Sequence, residues 1–128
     1  MKSGVDRLEE VFRALADDIR LEILGLLSRG EVCVCHIHEA LGLPQPTVSR
    51  HLAYLRRTGL VATRRDGLWI HYRLATPSDA RVAAILNATL ESLAQISADR
   101  LKERELRAAA QARHVQPGLS HSSPDFLD

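Results

Sequence analysis

The segment EVCVCHIHEAL places Cys33 and Cys35 two positions apart, with only Val34 between them, and the 128-residue chain has no other cysteine. Two histidines, His36 and His38, follow in the same segment. Thiolate sulfur and imidazole nitrogen bind soft and borderline metal ions, and sulfur favours the most thiophilic of them. Because a disulfide between residues two apart strains the normal Cα geometry, the spacing favours thiols that act as ligands or as redox groups.

The length of the chain predicts one domain with a single core. Hydrophobic residues make up 45 % of the sequence and aromatic residues 4 %, which predicts a core of Leu, Ile, Val and Ala. The N-terminus has no signal-peptide pattern, and apolar runs such as ILGLL are far too short to span a membrane. We therefore expect a cytoplasmic protein without membrane contact, whose thiols stay reduced.

Basic charge is concentrated in one part of the chain. The formal net charge is +1, but residues 44–75 contain six arginines and a single acid, Asp66, which gives a local balance of +5. A basic block inside a nearly neutral chain is typical of proteins that bind polyanions such as nucleic acid. Charge alone fits a solvated arginine-rich face equally well. The choice between that face and a nucleic-acid-binding surface therefore depends on the helices and strands that carry these arginines.

Helical spacing of apolar residues covers the first half of the chain. Steps of three and four predict an amphipathic first helix, DRLEEVFRALAD, with Val5, Leu8, Phe12 and Leu15 on its apolar face. The same spacing predicts three more helices: DIRLEILGLLSRG, a short one from about Val34 to Leu41, and one from about Gln45 to Arg57 with Val48, Leu52 and Leu55 inward.

At the start of the second half of the chain, the spacing of apolar residues changes from about four to two. LVATRR and LWIHYRL are predicted to be strands joined by a type I′ turn at Asp66-Gly67. Residues 78 to about 107 return to helical spacing, and the apolar stripe of this last helix predicts a second copy of the chain as its partner. Residues 108–128, rich in Ser, Pro and Gly, are predicted to be a disordered tail.

The resulting order, α-α-α-α-β-β-α, predicts a mainly α (α+β) fold: a winged helix-turn-helix that binds DNA and dimerises, over residues 1–107. In this arrangement the second helix of the pair enters the major groove by its N-terminal residues, and the hairpin is the wing. The candidate DNA-binding residues are Gln45, Thr47, Ser49, Arg50 and His51 on the recognition helix, Arg56 and Arg57 two turns further on, and Arg64, Arg65 and Arg73 on the wing.

Residues 15–74 contain, in this order, the motifs LADxxRLxIL, ExCVCxI, PTVSRHLxxLRxxGLV and RxGxWxxYRL. In these motifs the chain resembles the ArsR/SmtB family of metal-responsive repressors. The resemblance implies a homodimer held by the first and last helices, which binds double-stranded operator DNA with dyad symmetry and releases it when an effector binds. One departure is Pro44, where the family often has a serine that caps the recognition helix.

The resemblance is closest to the arsenic-responsive branch, which implies that arsenite or antimonite binds Cys33 and Cys35. That branch has a further cysteine where this chain has His38, so His38 is the candidate third ligand, whereas His36 is expected to be solvated. We predict a repressor without catalytic residues or a required cofactor, whose thiolates are favoured by a helix N-terminus. A response to cadmium, lead or zinc, a response to thiol oxidation, and a thiol redox enzyme remain alternatives.

The position of the cysteines predicts a mechanism of release. They lie on the first helix of the DNA-reading pair, so an ion that draws them together is expected to strain the first turn of that helix. The strain would then shift the recognition helix relative to its twin in the dimer. A coupling of roughly 1–3 kcal/mol per site is typical of allostery, and two sites would sum to about a hundredfold or greater loss of operator affinity.

Overall fold

The computed structural model describes residues 3–114. Its elements, in chain order, are α1 (Gly4–Leu15), α2 (Asp18–Leu27), β1 (Val32–Cys33), α3 (Val34–Leu41), α4 (Gln45–Arg57), β2 (Val61–Asp66), β3 (Trp69–Leu74) and α5 (Ala80–His114). The predicted mainly α, winged helix-turn-helix fold is confirmed. One element was not predicted, the two-residue strand β1 just before the third helix.

The chain divides into two compact units, Met1–Leu93 and Ala94–Asp128. The first unit contains every element up to the first part of α5, and the second contains the rest of that helix. Helix α5 extends to His114, beyond the predicted end at 107, and the remainder of the predicted tail, 115–128, lies outside the described residues. None of the helices described between residues 3 and 114 is long and apolar enough to cross a membrane.

The core of the first unit forms around α4. Its inward residues Val48, Leu52 and Leu55 are fully buried, as predicted, and they belong to one cluster with Ile23 of α2 and Ile37 of α3. Burial of such side chains stabilises the fold by about 1.5–3 kcal/mol each, so this cluster fixes the recognition helix on its scaffold.

Helix α1 packs against the core with a different face from the predicted apolar face that contains Val5 and Phe12. Val11 and Ala14 are fully buried, whereas Val5 and Phe12 are 76 % and 54 % exposed. The apolar stripe of this helix is therefore wider than the contact that α1 makes with the core. Its Val5–Phe12 side is left uncovered within the described residues of the chain.

The sheet has three antiparallel strands in the order β1-β3-β2. Asp66 pairs with Trp69, so the two residues between the strands are Gly67 and Leu68, and the predicted Asp66-Gly67 turn is wrong by one residue. Gly67 has a φ of 62°, whereas Leu68 has a negative φ. A positive φ at the first central residue alone is the pattern of a type II′ turn, which needs glycine at that position, and not of type I′.

Candidate DNA interface and thiol site

Helix α4 presents a polar side opposite its buried one. Gln45 and Arg50 are exposed, while Thr47 and Ser49 are half-buried. The N-cap is Pro44, whose extended backbone (φ −60°, ψ 142°) suits the position but whose side chain accepts no hydrogen bond. The departure at Pro44 therefore removes the side-chain cap and leaves the helix intact, because Pro44 still accepts from the backbone N–H groups of Thr47 and Val48 through its carbonyl.

His51 differs from the rest of this polar side. Its Nδ1 lies 3.2 Å from Nη1 of Arg20 and 3.8 Å from Oδ1 of Asp17, and its side chain is 20 % exposed. It was predicted to face outward as a base-reading residue. Instead, it faces the start of α2, because the fold packs the beginning of that helix against this turn of α4.

Arg20 is the centre of this contact, and it is not among the functional residues that the sequence predicts. Its Nε and Nη2 donate to the carbonyls of Ala14 and Arg13 at 2.7 and 2.9 Å, which satisfies the C-terminal end of α1. Its guanidinium also lies 4.1 Å from the ring centroid of Tyr54 on α4. Arg20 thus joins α1, α2 and the recognition helix, which gives the arginine of the LADxxRLxIL motif a structural role.

Asp17 adds charge and a cap to the same cluster. Its carboxylate accepts the backbone N–H of Arg20 at 3.0 Å, as the N-cap of α2. Partial burial raises the pKa of Asp17, but this hydrogen bond and the charges of Arg20 and His51 outweigh it and hold the pKa below its ordinary value of 3.8. The carboxylate is therefore ionised wherever the protein is folded near neutral pH.

The remaining predicted arginines are exposed, at the end of α4 and on the wing: Arg56, Arg57, Arg65 and Arg73. Arg57 has its guanidinium 5.3 Å from the Tyr54 ring centroid. Arg64 is also exposed but already has a partner, since its Nη2 lies 2.6 Å from Oε1 of Glu31. This ion pair raises the pKa of Arg64 and lowers that of Glu31. Arg64 can therefore reach a phosphate only by giving up or sharing its contact with Glu31.

The two thiols meet at the start of α3. Cys33 is the N-cap of that helix and is buried, Cys35 lies in its first turn, and the Sγ of Cys35 donates to the Sγ of Cys33 at 3.0 Å. This hydrogen bond and burial raise the pKa of Cys35, which outweighs the lowering effect of nearby backbone N–H groups. The helix N-terminus was expected to favour thiolates, but at Cys35 the neighbouring sulfur has the larger effect.

The histidines stand apart from this pair. His38 is half-buried and His36 is exposed. Among residues 3–114, no group of three or more His, Cys, Asp or Glu side chains has an arrangement that could hold a metal ion. The fold thus brings Cys33 and Cys35 together, and the described residues hold no three-ligand group that joins His38 to them.

These features define a DNA-binding protein of the winged helix-turn-helix class, with a pair of thiols on the first helix of the motif. The family model for the bacterial regulatory proteins of the arsR family matches residues 17–63. The chain is 48 % identical to an arsenical resistance operon repressor of Escherichia coli over 61 % of its length and 68 % of that protein. It belongs to the ArsR family and is a transcriptional repressor, not an enzyme.

Two further relatives support this assignment. The arsenic resistance transcriptional regulator ArsR1 of Pseudomonas putida is 42 % identical, with 75 % of this chain and 77 % of that protein covered. The homodimeric winged helix-turn-helix DNA-binding domain of Mb0332 from Mycobacterium bovis has a similar structure, with a TM-score of 0.58 and 34 % identity. That likeness covers 80 % of this chain and 93 % of that domain.

Proposed function

We propose that the protein is an arsenic- or antimony-responsive repressor that releases its operator when the trivalent ion binds Cys33 and Cys35. The observation that carries the proposal is the 3.0 Å separation of the two sulfurs at the N-terminus of α3. Neighbouring thiols of this kind are ligands that a soft, thiophilic centre prefers. The arsenical resistance repressors among its relatives support the same effector.

The binding step is a substitution with no change of oxidation state. Two arsenic–oxygen bonds of arsenous acid break and two sulfur–arsenic bonds form. The two thiol protons leave with the displaced hydroxyls as two water molecules, and one hydroxyl stays on arsenic. Since residues 3–114 contain no group of three ligands that includes His38, a two-sulfur site is favoured over a mixed site with imidazole.

We propose that the repressor acts in the cytoplasm as a homodimer on an operator with dyad symmetry. Exposed apolar side chains on α1 (Val5 and Phe12) support an interface with a second copy, and the Mycobacterium bovis domain is homodimeric. On each subunit the DNA surface would comprise the polar side of α4 and the wing arginines. His51 would act indirectly, by holding α4 on Arg20.

Release can be tested by fluorescence anisotropy of a labelled upstream fragment bound to the protein. Arsenite and antimonite are each expected to dissociate the complex, and Cys33→Ser/Cys35→Ser is expected to bind the DNA as tightly but to ignore both ions. His38→Ala, compared with His36→Ala as the matched control, tests the third ligand, and we expect both to respond like the wild type. Continued dissociation of the double cysteine variant by arsenite would reject the proposal. Cadmium, lead, zinc and hydrogen peroxide, added to the same complex, test the other effectors.

A further inference from the structure

A row of three residues crosses the sheet at the thiol site. Cys33 of β1 pairs with His71 of β3, and His71 pairs in turn with Arg64 of β2. Strand β1 ends at Cys33 and α3 begins at the next residue. The thiol pair is therefore attached to the wing through the backbone pairing of β1 with β3, as well as to the helix-turn-helix.

The ion pair between Glu31 and Arg64 provides a second attachment. Arg64 donates from Nε and Nη2 to the Glu31 carboxylate at 3.1 and 2.6 Å, so the contact reaches from the residue before β1, past β3, to β2. Two charge-assisted bonds from one guanidinium restrict direction as well as distance. Because β1 has only two residues, the backbone ladder alone is short, and the ion pair links β1 to the far strand of the wing.

We infer that Glu31 is a positioning residue that couples the thiol pair to the wing through Arg64. The inference rests on the proposed function and identifies how its site reaches DNA. Glu31 lies two residues before Cys33, so a displacement of Cys33 towards a bound ion moves β1 and the carboxylate with it. Arg64 follows, and both strands of the wing shift relative to the phosphates. Without the carboxylate, only the two-residue pairing of β1 with β3 connects the thiol pair to the wing, so a movement of β1 is transmitted to β2 less strongly.

Glu31→Gln is the variant that separates this coupling from binding. It removes the charge and keeps the size of the side chain. Ion binding at the thiols is expected to stay unchanged, and operator affinity without the ion is expected to stay the same or rise, because Arg64 becomes available to phosphate. The loss of operator affinity on saturation with the ion is expected to fall from about a hundredfold to less than about tenfold.

The experiment uses the full chain and three measurements. Absorbance of the sulfur–arsenic bond gives arsenite affinity, and anisotropy gives operator affinity with and without arsenite. Emission of Trp69, the only tryptophan of the chain, reports on the wing without DNA. Asp79→Asn is the matched control, because it neutralises a carboxylate in another ion pair, with Nε of Arg81 at 3.2 Å from its Oδ1. Asparagine keeps the Oδ1 that accepts the backbone N–H of Arg81, at 2.9 Å, at the start of α5.

Each outcome decides between the two claims. The inference is supported if arsenite changes the emission of Trp69 in the wild type and in Asp79→Asn but not in Glu31→Gln. In that case Glu31→Gln must also have the same arsenite affinity and the same thermal stability as the wild type. If that pattern occurs but arsenite does not release the operator, the proposed function fails and the inference stands. If Glu31→Gln keeps the full response of Trp69 and of operator affinity, the inference fails and the proposed function stands. If arsenite does not bind the wild type, both fail.

Discussion

Replacing Arg20 by alanine removes the side chain that joins three helices. In the folded protein the Arg20 side chain is only 11 % exposed; its guanidinium donates to two carbonyls at the end of α1 and lies on the ring of Tyr54. Arg20→Ala would leave those carbonyls with water as their only new partner and would uncover one face of the ring. It would also remove the neighbour of His51 on the recognition helix.

The size of the effect follows from these contacts. A hydrogen bond that involves a charged group contributes about 1.5–3 kcal/mol, and a cation–π contact contributes about 0.5–2 kcal/mol. Water can replace part of the two carbonyl contacts, because the cluster lies at the surface of the unit. We therefore expect Arg20→Ala to lower the free energy of unfolding by about 2–4 kcal/mol. Arg20→Lys should recover less than half of the free energy of unfolding that Arg20→Ala loses, since an ammonium group cannot reproduce the planar, forked donor geometry of the guanidinium.

Urea unfolding at a fixed protomer concentration measures the difference, with an unchanged m value as evidence that the unfolding reaction is the same. Arg13→Ala is the matched control, because this side chain is 70 % exposed and pairs with the exposed Glu9 carboxylate at 3.5 Å. Arg13→Ala should lower the free energy of unfolding by about 0.2–0.5 kcal/mol. Equal costs for the two variants would refute the role that we give to Arg20.

Three further predictions concern operator binding, acid stability and the helix cap. If the dimer contacts about six phosphates, operator affinity should fall about a thousandfold between about 50 and 200 mM salt, and Arg65→Ala should reduce the salt slope, measured by anisotropy, by about two. Stability due to Asp17 is present above its ordinary pKa of 3.8 and is lost as the pH falls below it, so urea midpoints should decrease more steeply on acidification in the wild type than in Asp17→Asn. Pro44→Ser should be more stable than Pro44→Ala by about 1 kcal/mol in the same unfolding assay, since both lose the proline ring and only serine supplies a cap.

Each of these has a result that contradicts it. A salt slope unaltered by Arg65→Ala would remove that arginine from the phosphate contacts. Parallel acid profiles of the wild type and Asp17→Asn would mean that this carboxylate has the same pKa in the folded and unfolded chain. Equal stability of the two Pro44 variants would show that the start of α4 cannot use a side-chain cap.

The helices and the two wing strands could be predicted from the sequence, because apolar residues recur in each of them with the period of a helix or of a strand. The spacing of Val48, Leu52 and Leu55 gave α4 its bounds and its buried side, and both agree with the structure. The change to a period of two predicted the wing, although the turn lies one residue later than the Asp66-Gly67 pair indicated. The spacing of the two cysteines likewise predicted thiols that act as ligands, and their sulfurs meet because Cys33 lies outside the helix as its extended N-cap while Cys35 is in the first turn.

Contacts between distant segments were decided by the tertiary structure alone. Arg20 meets His51, and Glu31 meets Arg64, across 31 and 33 residues of chain. Strand β1 is too short to carry a period, and it exists only because β3 lies beside it. The spacing of apolar residues indicates which residues of a segment face the core and which face solvent. It does not indicate which segments of the chain lie side by side. The packing of α2 on α4 and of β1 on β3 supplies that information, and it determines which arginines are free for DNA.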